Sequence, residues 1–119
     1  LGVGPVRFFP PRRAAALPAV GPRTHLLLAQ PFTGEAVRAL ERRGASVLPA
    51  PYPFGAEGSR AWFAAAARAF GAPEARIDAV LDPLVGRAER ALEPFRRRLG
   101  GKRLFMFPDS QLEIPLARF

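Results

Sequence analysis

Two short apolar runs flank one amphipathic stretch between residues 24 and 48, and no other feature of the chain constrains its fold as tightly. Thr24 opens the first run, which continues as His25-Leu26-Leu27-Leu28-Ala29. It is far shorter than the ~18 residues of a membrane span. Its near-continuous apolar character fits a strand covered on both faces. Gln30-Pro31-Phe32 turns the chain, and Thr33 is placed to cap a helix. From Glu35 onward, Ala36, Val37 and Leu40 share one helical face, and Arg38, Glu41 and Arg42 share the other. Gly44 stands where a left-handed residue closes a helix. Ser46-Val47-Leu48 then starts a second strand. Strand, amphipathic helix and strand in this order predict a parallel pair joined by a right-handed crossover.

The remaining segments extend that pattern. Val6-Arg7-Phe8-Phe9 reads as a strand that Pro10-Pro11 ends. Residues 10–23 hold four prolines and Gly21, which predicts a connection with a short helical turn near residues 13–17. Pro49, Pro51 and Pro53 alternate and force an extended path. Gly55 and Gly58 allow a tight turn, and Ser59 can cap a helix over 60–70 with Trp62, Phe63, Ala66 and Phe70 inside. Gly71 ends it, and Pro73-Glu74 opens another helix. Ile77, Val80, Leu81 and Leu84 form its stripe, continued by Val85, Ala88, Leu92, Phe95 and Leu99. Asp82-Pro83 is expected to break this helix and Pro94 to kink it. After Gly100-Gly101, residues 102–107 read as a further strand. Ser110-Gln111-Leu112-Glu113 has the form of a capping box for a last helix.

The expected fold class is therefore α/β, a mostly parallel, Rossmann-like sheet with flanking helices. Residues 1–100 are expected to form one such domain and residues 101–119 to open the next. The first residue is not Met, and the last residues read like the start of a helix, so the chain is expected to be an internal piece of a longer protein.

Composition narrows the chemistry. There is no cysteine, so no thiolate from these 119 residues can hold zinc or an iron–sulfur cluster. The one histidine, His25, cannot build a metal site alone. The net charge of +8 comes almost wholly from dispersed arginines. A nucleic-acid surface would gather them into one patch with stacking aromatics, so no nucleic-acid partner is expected. No membrane span is expected either.

Ligands of an open parallel sheet sit at the carboxyl ends of its strands. Three such ends are legible here: Gln30-Pro31-Phe32, residues 51–58, and Pro108-Asp109-Ser110-Gln111 after the apolar Phe105-Met106-Phe107. Each has two readings. Ser110 and Glu113 are explained by helix capping, and Asp109 by a turn at a helix N-terminus, yet a helix start aimed at a pocket serves both purposes. Gln30 either lines a pocket or bonds a turn amide. Phe32, Tyr52 and Phe54 either wall a flat ligand or fill the core. Gly55-Ala56-Glu57-Gly58 lacks the Lys and Ser/Thr of a phosphate loop.

The segments "GKRLFMFPDSQLEIPLARF" and "LLLAQPFTGEAVRALERRGASVLPAPYPFGAEGSRAWFAAAARAFG" closely resemble the N-subunit family of the light-independent (dark-operative) protochlorophyllide reductases, a nitrogenase-like group. The resemblance extends to "LGVGPVRFFPPRR" and "LPAVGPRT", with small departures at Met106 and Ser59-Arg60. It implies an oxidoreductase subunit of chlorophyll and bacteriochlorophyll biosynthesis in the cytoplasm of a phototrophic bacterium. Such a subunit pairs with a B subunit as a heterotetramer holding a 4Fe–4S cluster, whose ligands would lie outside this piece. A separate ATP-hydrolysing iron–sulfur protein, the L subunit, supplies electrons, and one double bond of ring D of protochlorophyllide is reduced to give chlorophyllide. This piece alone is expected to be inactive. The resemblance also places Gln30, Phe32, Phe54, Phe107, Pro108, Asp109, Ser110 and Gln111 on or near a tetrapyrrole cavity. A subunit of chlorophyllide reductase and a non-catalytic nitrogenase-like ligand-binding domain are the alternatives.

Overall fold

A computed structural model describes residues 1–107 and 112–118. After a 3-10 turn at Ala14–Ala16, the order is β1 (His25–Leu26), α1 (Gly34–Glu41), β2 (Ser46–Val47), α2 (Gly55–Ala69), α3 (Glu74–Leu99) and α4 (Glu113–Arg118). The central expectation holds: β1 and β2 are parallel, with His25 opposite Ser46 and Leu26 opposite Val47. The Ser46 amide donates to the Thr24 carbonyl at 3.0 Å and the Leu48 amide to the Leu26 carbonyl at 2.8 Å. Thr24 also anchors the approach to β1, since its hydroxyl accepts from the Gly21 amide at 3.1 Å.

The sheet is smaller than the expected Rossmann-like one. Among the described residues it has two strands of two residues each, set among four α-helices. Residues 6–9 and 102–107 are not strands. A strand exists only where a neighbour completes its ladder, and among the described residues neither run is paired in a sheet. Their side chains stay in solvent: Phe8 is 86% and Phe105 88% exposed.

Gly44 closes α1 with φ 97°, as the pattern predicts. The start of α2 differs from expectation. Phe54 is extended in the N-cap position, and the helix begins at Gly55, so Gly55 to Gly58 form its first turn and Ser59 does not cap it. In α3, neither proline interrupts the helix, which runs from Glu74 to Leu99 through Pro83 and Pro94. Each proline removes one bond to the carbonyl four residues earlier. Those carbonyls belong to Ala79 and Arg90, both exposed residues, so water can replace the missing donors. The residues of the capping box before Leu112 lie outside the described set.

The core lies between α2 and α3. Ala64 and Ala67 of α2 meet Ile77 and Leu81 of α3, with Leu1, Val3 and Ala72 packed around them. Small side chains on α2 let the two helices approach closely. This turns α2 away from the expected inner face, leaving Phe63 at 45% and Phe70 at 52% exposure. The helix pair is also tied by charge. Arg60 of α2 donates to Asp78 at 2.5 Å and to Asp82 at 2.9 Å, one turn further along α3. Arg68 forks onto both carboxylate oxygens of Glu74 at 2.6 and 2.9 Å.

The Arg68–Glu74 pair carries a pH dependence. The hydrogen bond from Arg68 holds the Glu74 carboxyl below its usual range. Glu89 is lowered in the same way by Arg96. A depressed carboxyl stabilises the fold above its unfolded-state pKa of about 4.3, and that contribution is lost as pH falls through the folded-state value. The melting temperature should therefore drop on acidification below about pH 4. The Glu74→Gln variant should show a shallower drop, and an equally steep one would remove Glu74 from the account.

Candidate functional site

The parallel pairing places the carboxyl ends of β1 and β2 on the same edge, and two of the three strand ends read from the sequence lie there. Beyond β1 the chain passes through Leu28 to Gln30, which is exposed, and to Phe32, which is 60% exposed. The indole N–H of Trp62, about two turns into α2, donates to the Leu28 carbonyl at 2.7 Å. Helix α2 thus reaches back to the exit of β1.

Beyond β2, the proline-rich segment leads into α2 and forms one wall of a cleft of about 330 Å³. Tyr52 and Phe54 line it from that segment, Ala61 from α2, Glu89 and Arg96 from α3, and Ile114 from α4. Glu89 and Arg96 are hydrogen-bonded to each other across two turns of α3. The cleft therefore combines an aromatic wall with the Glu89–Arg96 ion pair and the further carboxylate of Glu57. A second cleft of about 450 Å³ runs between α2 and α3 and is lined mainly by Phe63, Leu84, Val85 and Leu92, with Ser59 and Arg60 at one end.

Of the residues singled out from sequence, Phe54 enters the first cleft. Gln30 and Phe32 are exposed at the β1 exit and line neither cleft. Phe107 is 76% exposed in the extended run before α4. Pro108, Asp109, Ser110 and Gln111 lie outside the described residues. Sequence reasoning missed Glu89 and Arg96, whose only signal was an opposite charge seven residues apart on one helix. His25 stands at the start of β1, with Nδ1 3.0 Å from the Ser46 hydroxyl and its ring edge-on to Phe70.

The path of the proline-rich segment depends on Gly58. A Cβ there would lie 2.8 Å from the Tyr52 carbonyl oxygen, closer than real Cβ atoms come. Gly58→Ala gains about 1 kcal/mol of helix propensity but forces an overpacking cost of about 1–3 kcal/mol. The expected result is a net loss of about 1 kcal/mol in a urea titration, with the Tyr52 to Phe54 segment displaced. A variant more stable than the parent would show that the segment yields freely.

Among the described residues, no group of three or more His, Cys, Asp or Glu side chains could hold a metal ion. With no cysteine in the chain, these residues do not fit an iron–sulfur cluster. Among the same residues, no helix is long and apolar enough to cross a membrane.

The described residues thus combine a parallel strand pair, its flanking helices and an aromatic cleft beyond the end of β2. The chain belongs to the nitrogenase component 1 type oxidoreductases, whose family pattern matches residues 1–119. It is 60% identical over all 119 residues to the light-independent protochlorophyllide reductase subunit N of Rhodopseudomonas palustris strain HaA2, and spans 28% of that protein. The protein of the same description from Halorhodospira halophila is also 60% identical, with 28% of its length covered. That of Synechococcus sp. strain RCC307 is 58% identical, with 29% covered. The chain thus spans less than a third of the length of these relatives.

Proposed function

We propose that the chain is part of the N subunit of a light-independent protochlorophyllide reductase. The observation that carries this reading is an identity of 58–60% sustained over the whole chain with subunits of that description from three different organisms. In the proposed enzyme, the N subunit pairs with a B subunit in the cytoplasm. An ATP-dependent iron–sulfur L protein supplies electrons one at a time. Saturating a ring D double bond of protochlorophyllide takes two electrons and two protons. The 4Fe–4S cluster of the complex would be held by residues outside these 119, because the chain offers no thiolate. The share of this chain is to wall a cavity for a flat tetrapyrrole. Gln30, Phe32, Phe54, Phe107, Pro108, Asp109, Ser110 and Gln111 are its proposed contributors, and the aromatic lining at Tyr52 and Phe54 supports that role.

The test uses the full-length subunit co-expressed with its B partner and purified without oxygen. Protochlorophyllide is added and its absorption followed with and without the L protein and ATP. Conversion to chlorophyllide only when both are present supports the proposal. A folded complex that binds no pigment rejects it. In the active complex, Asp109→Ala should lower pigment affinity or turnover about 3- to 10-fold, the scale of one lost hydrogen bond. Unchanged kinetics with unchanged folding would remove Asp109 from the cavity.

A further inference from the structure

We infer that Trp62 is a positioning residue for the substrate site: its indole N–H fixes the carboxyl end of β1 and so holds the Gln30-Pro31-Phe32 loop in place for the ligand. The inference rests on the tetrapyrrole reading and names a residue that reading does not include.

The geometry begins with the ladder. The last backbone bond between β1 and β2 runs from the Leu48 amide to the Leu26 carbonyl. Leu28 lies two residues beyond it, where the sheet no longer holds the chain. At that point Trp62 supplies a donor from another element, 34 residues away in sequence, at 2.7 Å. Indole N–H is a donor only, so the bond has one sense and one geometry. Two residues further on comes Gln30, and then the exposed Phe32. The ring of Trp62 is itself held, edge-on to Phe63 with centroids 4.9 Å apart. Helix α2, which carries Trp62, starts at the cleft lined by Tyr52 and Phe54. One side chain therefore connects the loop after β1 to the helix that follows β2. Ligands of parallel sheets bind across such strand ends, and a loop released from its anchor loses the preorganisation that binding uses.

A bulky aromatic on an alanine-rich helix could also serve packing alone, and the two roles separate experimentally. Trp62→Phe keeps a ring and removes the N–H, and Trp62→His restores a ring N–H. Both are made in the full N–B complex and assayed with protochlorophyllide, L protein and ATP beside the parent complex. The expected result for Trp62→Phe is assembly as in the parent, a KM raised about 3- to 10-fold with kcat within about twofold, and a shifted absorption maximum for the bound pigment. Trp62→His should recover part of the KM and of the spectrum. A Trp62→Phe complex with parental KM and spectrum overturns the inference. So does one that melts earlier while its KM stays unchanged, since that is packing alone. If Trp62→Phe fails to assemble, Trp62→His decides by the same readouts, and failure of both assigns Trp62 to folding and rejects the inference. A parent complex that binds no pigment would instead defeat the functional reading itself.

Discussion

Replacing Ile77 by alanine is expected to cost about 2–4 kcal/mol. Ile77 is fully buried and is the largest such side chain among the described residues. It sits among Ala64, Ala67 and Leu81, two of which have no more atoms to give. The space left by its side chain cannot be filled by alanines, and the Arg60 and Arg68 ion pairs fix the position of α2 against α3 at either end of the contact. The cavity therefore persists, and the cost approaches the full transfer and cavity penalty. Natural domains are stable by about 5–15 kcal/mol, so the loss is a large share of the total. It should appear as a lower urea midpoint at unchanged slope. Leu84→Ala, at a position 46% exposed on the same helix, should cost under about 1 kcal/mol. Equal effects at the two positions would mean that the α2–α3 contact does not carry the stability.

Gly44→Ala is expected to cost about 2–4 kcal/mol, because two penalties coincide there. At φ 97° a side chain meets the left-handed backbone penalty, about 1–2 kcal/mol. A Cβ would also come within 3.1 Å of both the ring and the backbone nitrogen of Pro22, neither of which can rotate away. Gly71→Ala provides the comparison. Its φ is 75°, with nothing within 4 Å of the added atom, so only the backbone penalty should appear. The difference between the two variants, read from their urea midpoints, measures the Pro22 contact. If both lose the same amount, that contact contributes nothing.

The sequence carried the β1–α1–β2 unit because every signal in it is local. The apolar run, the helical face and Gly44 all act within about one turn of the residues they organise. The misreadings have long-range causes. Pro83 looked like a break because proline costs a helix bond, but the cost is small where the orphaned carbonyl belongs to an exposed residue, and exposure is a property of the packing. The runs at 6–9 and 102–107 have strand composition, but a strand also needs a neighbour, and composition does not supply one. The inner face of α2 was assigned to its largest side chains, whereas the close approach to α3 selected its smallest. Of the candidate site, strand ends and aromatics such as Phe54 were legible. The bond from Trp62 to Leu28 and the pairs from Arg60 to Asp78 and Asp82 were not, since each joins residues at least 18 apart in sequence.

Helix α3 has 26 residues, and its two buried side chains, Ile77 and Leu81, fall in its first eight. At 1.5 Å per residue, roughly 27 Å of rod extends beyond Leu81. That makes α3 a lever with its fulcrum at the α2 contact. A tilt of about 5° at the fulcrum carries Leu99 through roughly 2–3 Å over that length, about the difference between a made and a broken hydrogen bond. The Glu89–Arg96 pair rides on this arm. The shape of the aromatic cleft therefore depends on how firmly Ala64, Ala67, Ile77 and Leu81 hold the angle of the helix at its other end.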